Sequence, residues 1–370
     1  MKLICSKTNL QKGVNIVSKA VPTRTTMAIL ECILIDASTN EIKLTANDME
    51  LGIETKIEGE IIERGIIALD AKIFSEIVRK LPDSEVVIET DASFKTSISC
   101  EKAQFNIVGK SGEDFSYIPY IEKNEPIILT QFTLKEVIRQ TIFSISDNDS
   151  NKLMTGELFE INENQLRVVS LDGHRISIRF INMKNHYDHK KVVVPGKTLQ
   201  EISKIIPGNV EENVEIYISD NHIMFQFEST TVVSRLIEGE FFKIDQMLSS
   251  DYETKVTVNK RELLDCIDRS TLLVKEGEKK PIIMGVNNNN MELKINSFIG
   301  SMHEEIDVVK EGKDILIGFN PKFFIDALRV IDSDEVSLYM VNPKAPCFIK
   351  DDEGKFIYLI LPVNFNTSTN

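Results

Sequence analysis

One charged helix pattern recurs three times in this chain, at residues 72, 197 and 322, a constant spacing of 125 residues. A lysine, an acidic residue and a second basic residue stand at i, i+4 and i+7 in Lys72–Glu76–Arg79, Lys197–Glu201–Lys204 and Lys322–Asp326–Arg329. This spacing places the three charges on one stripe of an α-helix. A period this long predicts three copies of one structural unit within the 370 residues.

Two helices are predicted for each copy. After each lysine, apolar residues at +2, +5 and +9 define a face that must pack on a sheet: Phe74, Ile77, Leu81; Leu199, Ile202, Ile206; Phe324, Ala327, Ile331. A weaker i, i+4, i+7 pattern predicts a helix at the start of each copy: Leu10, Val14, Val17; Leu134, Ile138, Thr141; Leu263, Ile267, Ser270. Strand-like alternation lies between them, with turns predicted at STNE, NENQ and NNNN. The predicted fold class is α+β, with three repeated domains (1–124, 125–248 and 249–370), each with two helices packed on antiparallel sheet.

The charge is distributed unevenly. A net charge of −14 taken alone argues against a nucleic-acid partner. The six predicted helical segments nevertheless hold 14 Lys or Arg against 7 Asp or Glu, a sum of +7, so the rest of the chain carries −21: 8–20, 71–81, 133–144, 197–206, 259–271 and 321–331. One such stripe alone is an ordinary solvated helix face, whose ion pairs contribute ~0.2–0.5 kcal/mol each. The sum over six helices favours a shared basic surface that contacts phosphates without reading bases.

Cysteine usage and hydropathy predict a cytoplasmic protein without membrane contact. The five cysteines are scattered, and none forms a C-x-x-C pair, which is typical of reduced thiols: Cys5, Cys32, Cys100, Cys266 and Cys347. No apolar run approaches the ~18 residues that a membrane span needs. The first ten residues lack the apolar core of a signal peptide.

Five local motifs carry a resemblance to a known family. They are SLDGHRISI (170–178), GELFE, EGEFFKIDQML, IGFNPKFFIDAL and LILPVNF. Together with the threefold repeat, they resemble the bacterial DNA sliding clamps, the beta subunits of replicative DNA polymerase III. The resemblance implies that the chain forms half of a closed ring, a homodimer whose helices line a hole for duplex DNA. It further implies a non-catalytic processivity subunit without a cofactor, which binds DNA polymerase and the clamp loader through short peptides.

The DNA-facing candidates come from two sources. The resemblance implies Arg24, Lys72, Arg79, Lys197 and Lys204. The helical pattern alone adds Lys135, Arg139, Lys322 and Arg329. Ala28 stands where the family has proline, in the loop after Arg24.

The resemblance also implies a hydrophobic peptide-binding groove, which suits aliphatic and aromatic anchors. Its predicted residues are Met154, Leu171, Gly173, His174, Arg175, Ile176, Phe242, Met247, Leu359, Leu361, Pro362 and Val363. Phe242 replaces a family proline, Gln246 replaces an arginine, and Leu153 stands where an aromatic residue is often found. The chain also continues five residues beyond Phe365, past the family's usual end.

The resemblance also implies subunit contacts, with Phe105 and Ile107 on one side and Leu272 and Leu273 on the other. The alternative is that all four are ordinary core residues. An unpaired strand edge is a liability unless it is covered, which favours the interface.

Three enzyme-like signals have simpler interpretations. Asp172 and His174 suggest an acid–base pair, but a D-G turn between two strands explains them without catalysis. His186 and His189 are predicted to be solvated loop residues rather than metal ligands. The stretch GKSGED lacks the residue order of a phosphate-binding loop. Two other functions remain open: a monomeric peptide-binding scaffold of the same fold, and an enzyme whose site shows no motif.

Overall fold

The structure, a computed structural model, describes residues 1–148, 150–248, 251–274, 280–351 and 353–365. Six α-helices occur in these ranges: α1 (Lys7–Val17), α2 (Ala71–Lys80), α3 (Gln131–Thr141), α4 (Gly196–Ile205), α5 (Lys260–Ser270) and α6 (Pro321–Val330). Each lies within two residues of a segment predicted from the periodicity, apart from short 3₁₀ turns that continue α1, α3 and α5. The predicted tail beyond Phe365 lies outside the described residues.

The strands account for most of the remaining regular structure. They are β1 (Lys2–Ser6), β2 (Cys32–Asp36), β3 (Ile42–Asn47), β4 (Leu51–Ile57), β5 (Glu60–Glu63), β6 (Ile66–Asp70), β7 (Glu85–Thr90), β8 (Lys95–Cys100), β9 (Ala103–Val108), β10 (Lys110–Ser111), β11 (Ile127–Thr130), β12 (Gly156–Leu171), β13 (Arg175–Pro195), β14 (Asn213–Ile218), β15 (His222–Phe227), β16 (Thr230–Arg235), β17 (Thr254–Asn259), β18 (Ile282–Asn287), β19 (Asn290–Asn296), β20 (Ser301–Gly312), β21 (Ile315–Phe319), β22 (Glu335–Met340), β23 (Cys347–Lys350) and β24 (Phe356–Ile360).

The predicted apolar helix faces form the core. All nine positions of the second-helix pattern and all nine of the first-helix pattern are buried. The two polar members of the weaker pattern are satisfied locally, because Thr141 Oγ1 donates to Val137 O and Ser270 Oγ donates to Ile267 O. Side-chain caps define where several helices begin: Ser6 for α1, Asp70 for α2, Asn259 for α5 and Asn320 for α6.

Every strand pair between described residues is antiparallel, which confirms the α+β class. Contacts group the chain into two compact units. The first unit contains residues 1–135 and 197–236, with a five-stranded sheet (β5-β1-β7-β8-β9) and a nine-stranded sheet (β10-β6-β2-β3-β4-β16-β15-β14-β11). The second contains residues 136–196 and the described residues from 237 onwards, with a ten-stranded sheet (β12-β13-β24-β23-β22-β17-β20-β19-β18-β21).

Neighbouring repeats share sheets. In the first unit β16 pairs with β4, with Val232 opposite Ile53. In the second unit β13 pairs with β24, with Ile178 opposite Ile357. A sheet that runs through a repeat boundary explains why three sequence repeats give two compact units. The three-domain division at 124/125 and 248/249 therefore stays a prediction, and residue 249 itself lies outside the described ranges.

One predicted turn is wrong. The loops at STNE and NNNN do reverse the chain, between β2 and β3 and between β18 and β19. NENQ instead lies inside the 16-residue strand β12, where the register shifts on both sides of Glu163. The 21-residue strand β13 pairs with both halves of β12, so no reversal is needed to satisfy their backbone groups. The histidines His186 and His189 lie on this strand rather than in a loop, and both are exposed.

All five cysteines are free, in agreement with the prediction of reduced thiols, and all five are buried. Among the helices of the described residues, none is long and apolar enough to cross a membrane.

Candidate functional site

An apolar cavity in the second unit gathers most of the predicted groove residues. It has a volume of ≈ 590 Å³. Its lining comprises Met154, Leu171, Gly173, His174, Arg175, Ile176, Phe242, Ile244, Met247, Pro346, Leu359 and Leu361. Ten of these were predicted; the sequence reasoning missed Ile244 and Pro346. Ile244 could have been found from its position in the FFKIDQML stretch, whereas Pro346 carries no sequence signal for this site.

One wall of the cavity is the tight turn between β12 and β13. Asp172 Oδ1 accepts the backbone N–H groups of His174 (2.9 Å) and Arg175 (3.1 Å). Gly173 has φ +86°, a backbone conformation that L side chains rarely adopt. The Asp-Gly-His-Arg stretch is therefore the structural turn that the simpler interpretation predicts, with Leu171 and Ile176 facing the cavity on either side.

The same geometry argues against an acid–base pair. One oxygen of Asp172 is occupied by the turn, and Oδ2 accepts from Arg175 Nε at 2.9 Å. The His174 ring instead faces Phe323, with 6.2 Å between ring centroids. Because the carboxylate is committed to the turn and to Arg175, it is not placed to orient His174 as a general base.

A second wall is the segment that contains Phe242, Ile244 and Met247. Arg167 on β12 holds it, since Nη1 lies 2.6 Å from Asp245 Oδ1 and Nη2 lies 2.6 Å from Glu160 Oε2. The hydrogen bond from Arg167 lowers the pKa of Asp245 below its usual range, so the pair is ionised at neutral pH. This apolar wall is thus held to β12 by an ion pair.

The third wall comes from the C-terminal segment. Leu361 N–H donates to His174 O at 2.8 Å, which ties this wall to the β12–β13 turn. Val363 N–H donates to Gly318 O, also at 2.8 Å, and so fastens the chain to β21. Pro362 and Val363, both predicted groove residues, lie just beyond the cavity lining.

Behind the groove, β12 buries a carboxyl group on the face opposite Leu158. Glu157 is fully buried, and neither of its oxygens has a hydrogen-bond partner among the described residues. The nearby Thr141 hydroxyl donates to Val137 O instead. Burial raises the pKa of Glu157 to about 8, so its side chain is mostly neutral at pH 7.

Glu157→Gln is expected to flatten the pH dependence of stability. A carboxyl with a pKa of about 8 when folded and 4.5 when unfolded releases a proton on unfolding between these values. The free energy of unfolding should therefore fall as pH rises from 4.5 to 8, by on the order of 1 kcal/mol per pH unit. Urea unfolding of the wild type and the variant at pH 5, 6.5 and 8 measures this; parallel curves would contradict it.

The predicted DNA-facing cations differ in whether an acidic side chain pairs with them. Arg24, Lys72 and Lys322 are exposed. Lys204 Nζ lies 2.8 Å from Glu201, Lys197 Nζ lies 2.5 Å from Asp48 and Arg329 lies 3.2 Å from Asp268; Arg79 also pairs with Glu76. Half-buried Arg139 pairs with Glu136 (2.6 Å) and Asp332 (3.2 Å). Most of these positive charges are therefore partly neutralised by an acidic side chain in an ion pair.

Lys135 has a structural partner. Its Nζ donates to Ile206 O (3.1 Å), just past the end of α4. Lys260, 125 residues later, donates in the same way to Ile331 O (2.7 Å), just past the end of α6. A cation at a helix C-terminus satisfies a free carbonyl and complements the helix dipole. We therefore interpret Lys135 first as a cap and only second as a DNA contact.

The predicted interface residues are more exposed than core residues would be. Phe105 and Ile107 lie on β9, at the edge of the five-stranded sheet, and Phe105 is 39% exposed. Leu272 is 78% exposed, and half-buried Leu273 lies beside Gly300. Phe298, in the loop between β19 and β20 that also holds Gly300, is 93% exposed and was not among the predicted interface residues. Among described residues, 301–307 of β20 pair only with β19, so their other edge is open.

One group of side chains has metal-ligating chemistry. Glu292, His303 and Glu305 place their ligand atoms within 4.8 Å of one another on β19 and β20. Glu292 Oε1 already accepts from His303 Nε2 and Lys294 Nζ, each at 2.7 Å, and Asn290 donates to Glu305. We interpret the group as a surface ion network.

Comparisons with known proteins cover nearly the whole chain. Family models match in order: DNA polymerase III beta subunit, N-terminal domain (1–119), central domain (128–243) and C-terminal domain (245–364). Beta sliding clamps of Staphylococcus epidermidis and Staphylococcus aureus are each 33% identical over 356 residues, 93% of this chain and 94% of the relative. The crystal structure of a protein from Eubacterium rectale assigned as a DNA polymerase III beta subunit is 84% identical, with a TM-score of 0.96, and covers 99% of this chain and 100% of that one. The DNA polymerase sliding clamp of Bacillus subtilis is 32% identical, with the same TM-score and coverage.

Proposed function

The chain belongs to the DNA polymerase III beta subunit family, the bacterial sliding clamps, and we propose that two copies close into a ring that encircles duplex DNA. The chain is a non-catalytic processivity subunit built from three clamp domains. We propose the boundaries 1–124, 125–248 and 249–370 for these domains and the cytoplasm as the site of action. The helices that carry the charged stripes would face the hole.

The single observation that carries the proposal is the pair of cations repeated in phase on α2, α4 and α6, the second of which is paired with an acid in each copy. A ring that slides needs phosphate contacts that are few and weak, because a densely basic channel would stall it. The pairs Arg79–Glu76, Lys204–Glu201 and Arg329–Asp268 meet that need. Retention would then depend on topology rather than on affinity, and the −21 charge outside the helices would discourage binding to the outer surface.

The apolar cavity is proposed to hold short peptides from DNA polymerase and the clamp loader. Burial of one leucine or phenylalanine anchor contributes ~1.5–3 kcal/mol. Two or three anchors, less the cost of ordering a flexible peptide, predict a Kd on the order of micromolar. Such contacts hold partners while allowing them to exchange.

Retention on DNA of different topology tests the ring. With a clamp loader and ATP, the protein should stay on nicked circular plasmid and leave the same plasmid after linearisation. Equal retention on both would reject encirclement and favour a monomeric peptide-binding scaffold. The mass in solution separates the same alternatives, because a ring of such subunits requires twice 42.0 kDa.

Replacing Lys197 and Lys204 together by alanine is expected to slow loading severalfold without unfolding the chain. Both side chains are more than half exposed, so the melting temperature should change by no more than about 2 °C. Loading rates on nicked plasmid at two salt concentrations measure the effect. A large fall in melting temperature would show that these lysines are structural.

His174→Ala is expected to weaken binding of polymerase and loader peptides while the dimer is kept. The ring of His174 is exposed at the cavity wall, so its removal takes away contact area from the peptide. Fluorescence polarisation and light scattering give the two readouts. A turnover reaction that this substitution abolishes would instead favour an enzyme.

A further inference from the structure

Asp326 does not lie with the exposed cations of its helix, although its position in the sequence pattern predicts that it does. The i, i+4, i+7 pattern groups it with Lys322 and Arg329 on α6, and both of these cations are exposed. The Asp326 side chain is only 21% exposed, and its Oδ2 lies 2.6 Å from Arg175 Nη1. Its partner is therefore a groove residue rather than a neighbour on the stripe.

Arg175 is held from several directions at once. Its side chain is 8% exposed. Nε donates to Asp172 Oδ2 (2.9 Å), Nη1 to Asp326 Oδ2 (2.6 Å) and Nη2 to Phe143 O (2.5 Å). The guanidinium also lies 4.6 Å from the ring centroid of Phe323 on α6. A planar cation with this many partners has one available position.

The contacts of Arg175 continue into two walls of the cavity. Asp172, which accepts from Nε, also holds the backbone of the β12–β13 turn. The His174 carbonyl in that turn accepts from Leu361 N–H (2.8 Å), so the C-terminal wall follows the turn. Phe323 faces both the His174 ring and the Arg175 guanidinium. Helix α6 thus reaches the groove through a carboxylate and a ring one helical turn apart.

We propose that Asp326 is a positioning residue for the peptide groove, through which α6 sets the shape of the groove walls by way of Arg175. The inference rests on the proposed peptide-binding function of the cavity. It has a consequence for regulation, because α6 also carries Lys322 and Arg329. Where phosphate contact at these cations shifts α6, the resulting change in peptide affinity equals the change that peptide binding makes in phosphate affinity.

Asp326→Asn tests the proposal against a matched control. The substitution keeps the size of the side chain and removes the charge that holds Arg175. Asp268→Asn is the control, because Asp268 on α5 pairs with Arg329 of α6 (3.2 Å) but does not line the cavity. The probe is a fluorescein-labelled peptide from a bacterial replicative DNA polymerase that contains its clamp-binding segment, measured by fluorescence polarisation on the full-length dimer.

The expected result is a Kd about tenfold higher for Asp326→Asn and unchanged within about twofold for Asp268→Asn. Asp326→Glu restores the charge and should recover most of the affinity, which a general loss of packing would not allow. The peptide Kd measured with and without loaded duplex DNA should differ for the wild type, and the difference should shrink in Asp326→Asn.

Each result has one interpretation. Equal peptide affinity in Asp326→Asn and the wild type overturns the proposal, and so does an equal loss in Asp268→Asn. Should Asp326→Asn fail to fold, the comparison moves to Asp326→Glu and Arg175→Lys, of which only the second should lose affinity. A wild type that does not bind the peptide contradicts the proposed function of the groove instead.

Discussion

Leu272→Glu is expected to give a folded monomer of 42.0 kDa that leaves circular DNA as quickly as linear DNA. The Leu272 side chain is 78% exposed in the single chain, so a charge there costs the monomer little. In the proposed dimer the same position is buried against the edge strand β9 of the second copy. Burying an unpaired carboxylate costs several kcal/mol, which is enough to shift a dimer to monomers at micromolar concentration.

Light scattering and the plasmid-retention experiment measure the two parts of this result. Val210→Glu serves as the control, since Val210 is also well exposed, at 63%, but lies in the loop between α4 and β14 rather than on β9 or next to Leu272 in the chain. It should stay dimeric and remain on circular DNA. A dimeric Leu272→Glu variant would place the subunit contact elsewhere on the chain.

Truncating Met247 and Leu361 together to alanine is expected to weaken peptide binding about 100-fold while the dimer is kept. Both line the cavity and are partly exposed, at 56% and 37%, so neither is a main support of the core. Each truncation removes two or three methylene-sized groups of contact, worth ~1.5 kcal/mol or more per residue. The sum of about 3 kcal/mol corresponds to a factor of about 100 in Kd.

Leu316→Ala is the matched control for this pair. Leu316 is 45% exposed on β21, outside the cavity lining. Its truncation should leave the peptide Kd unchanged within about twofold. Isothermal titration of the peptide into each variant gives the comparison, and an unchanged Kd for the double variant would show that the peptide binds at another surface.

The helices could be predicted because their information is local. A 3.6-residue period brings Phe74, Ile77 and Leu81 onto one face, and burial of that face is what stabilises the helix. The weaker pattern succeeded as well, because Thr141 and Ser270 satisfy their hydroxyls within their own helices. The turn at NENQ failed for the opposite reason, since its outcome depended on β13, the strand that pairs with it.

The groove depended on the resemblance, because no single stretch of the chain contains it. Its walls come from around residues 154, 171–176, 242–247 and 359–361, and Pro346 joins them only in space. The contact of Asp326 could not be predicted from one stretch of the chain either. A stripe at i, i+4 and i+7 is wide enough for its middle member to face a neighbouring strand while the outer two face solvent.

The sequence by itself determined the threefold α+β repeat, the buried helix faces and the repeated pairs of cations on α2, α4 and α6, because all three follow from periodicities within short segments. Only the tertiary structure decided which repeats share a sheet, which acid holds Arg175 and which side chains line the cavity. Those outcomes depend on contacts between residues far apart in the chain, such as Thr55 with Thr230 and Arg175 with Asp326, which no local pattern encodes.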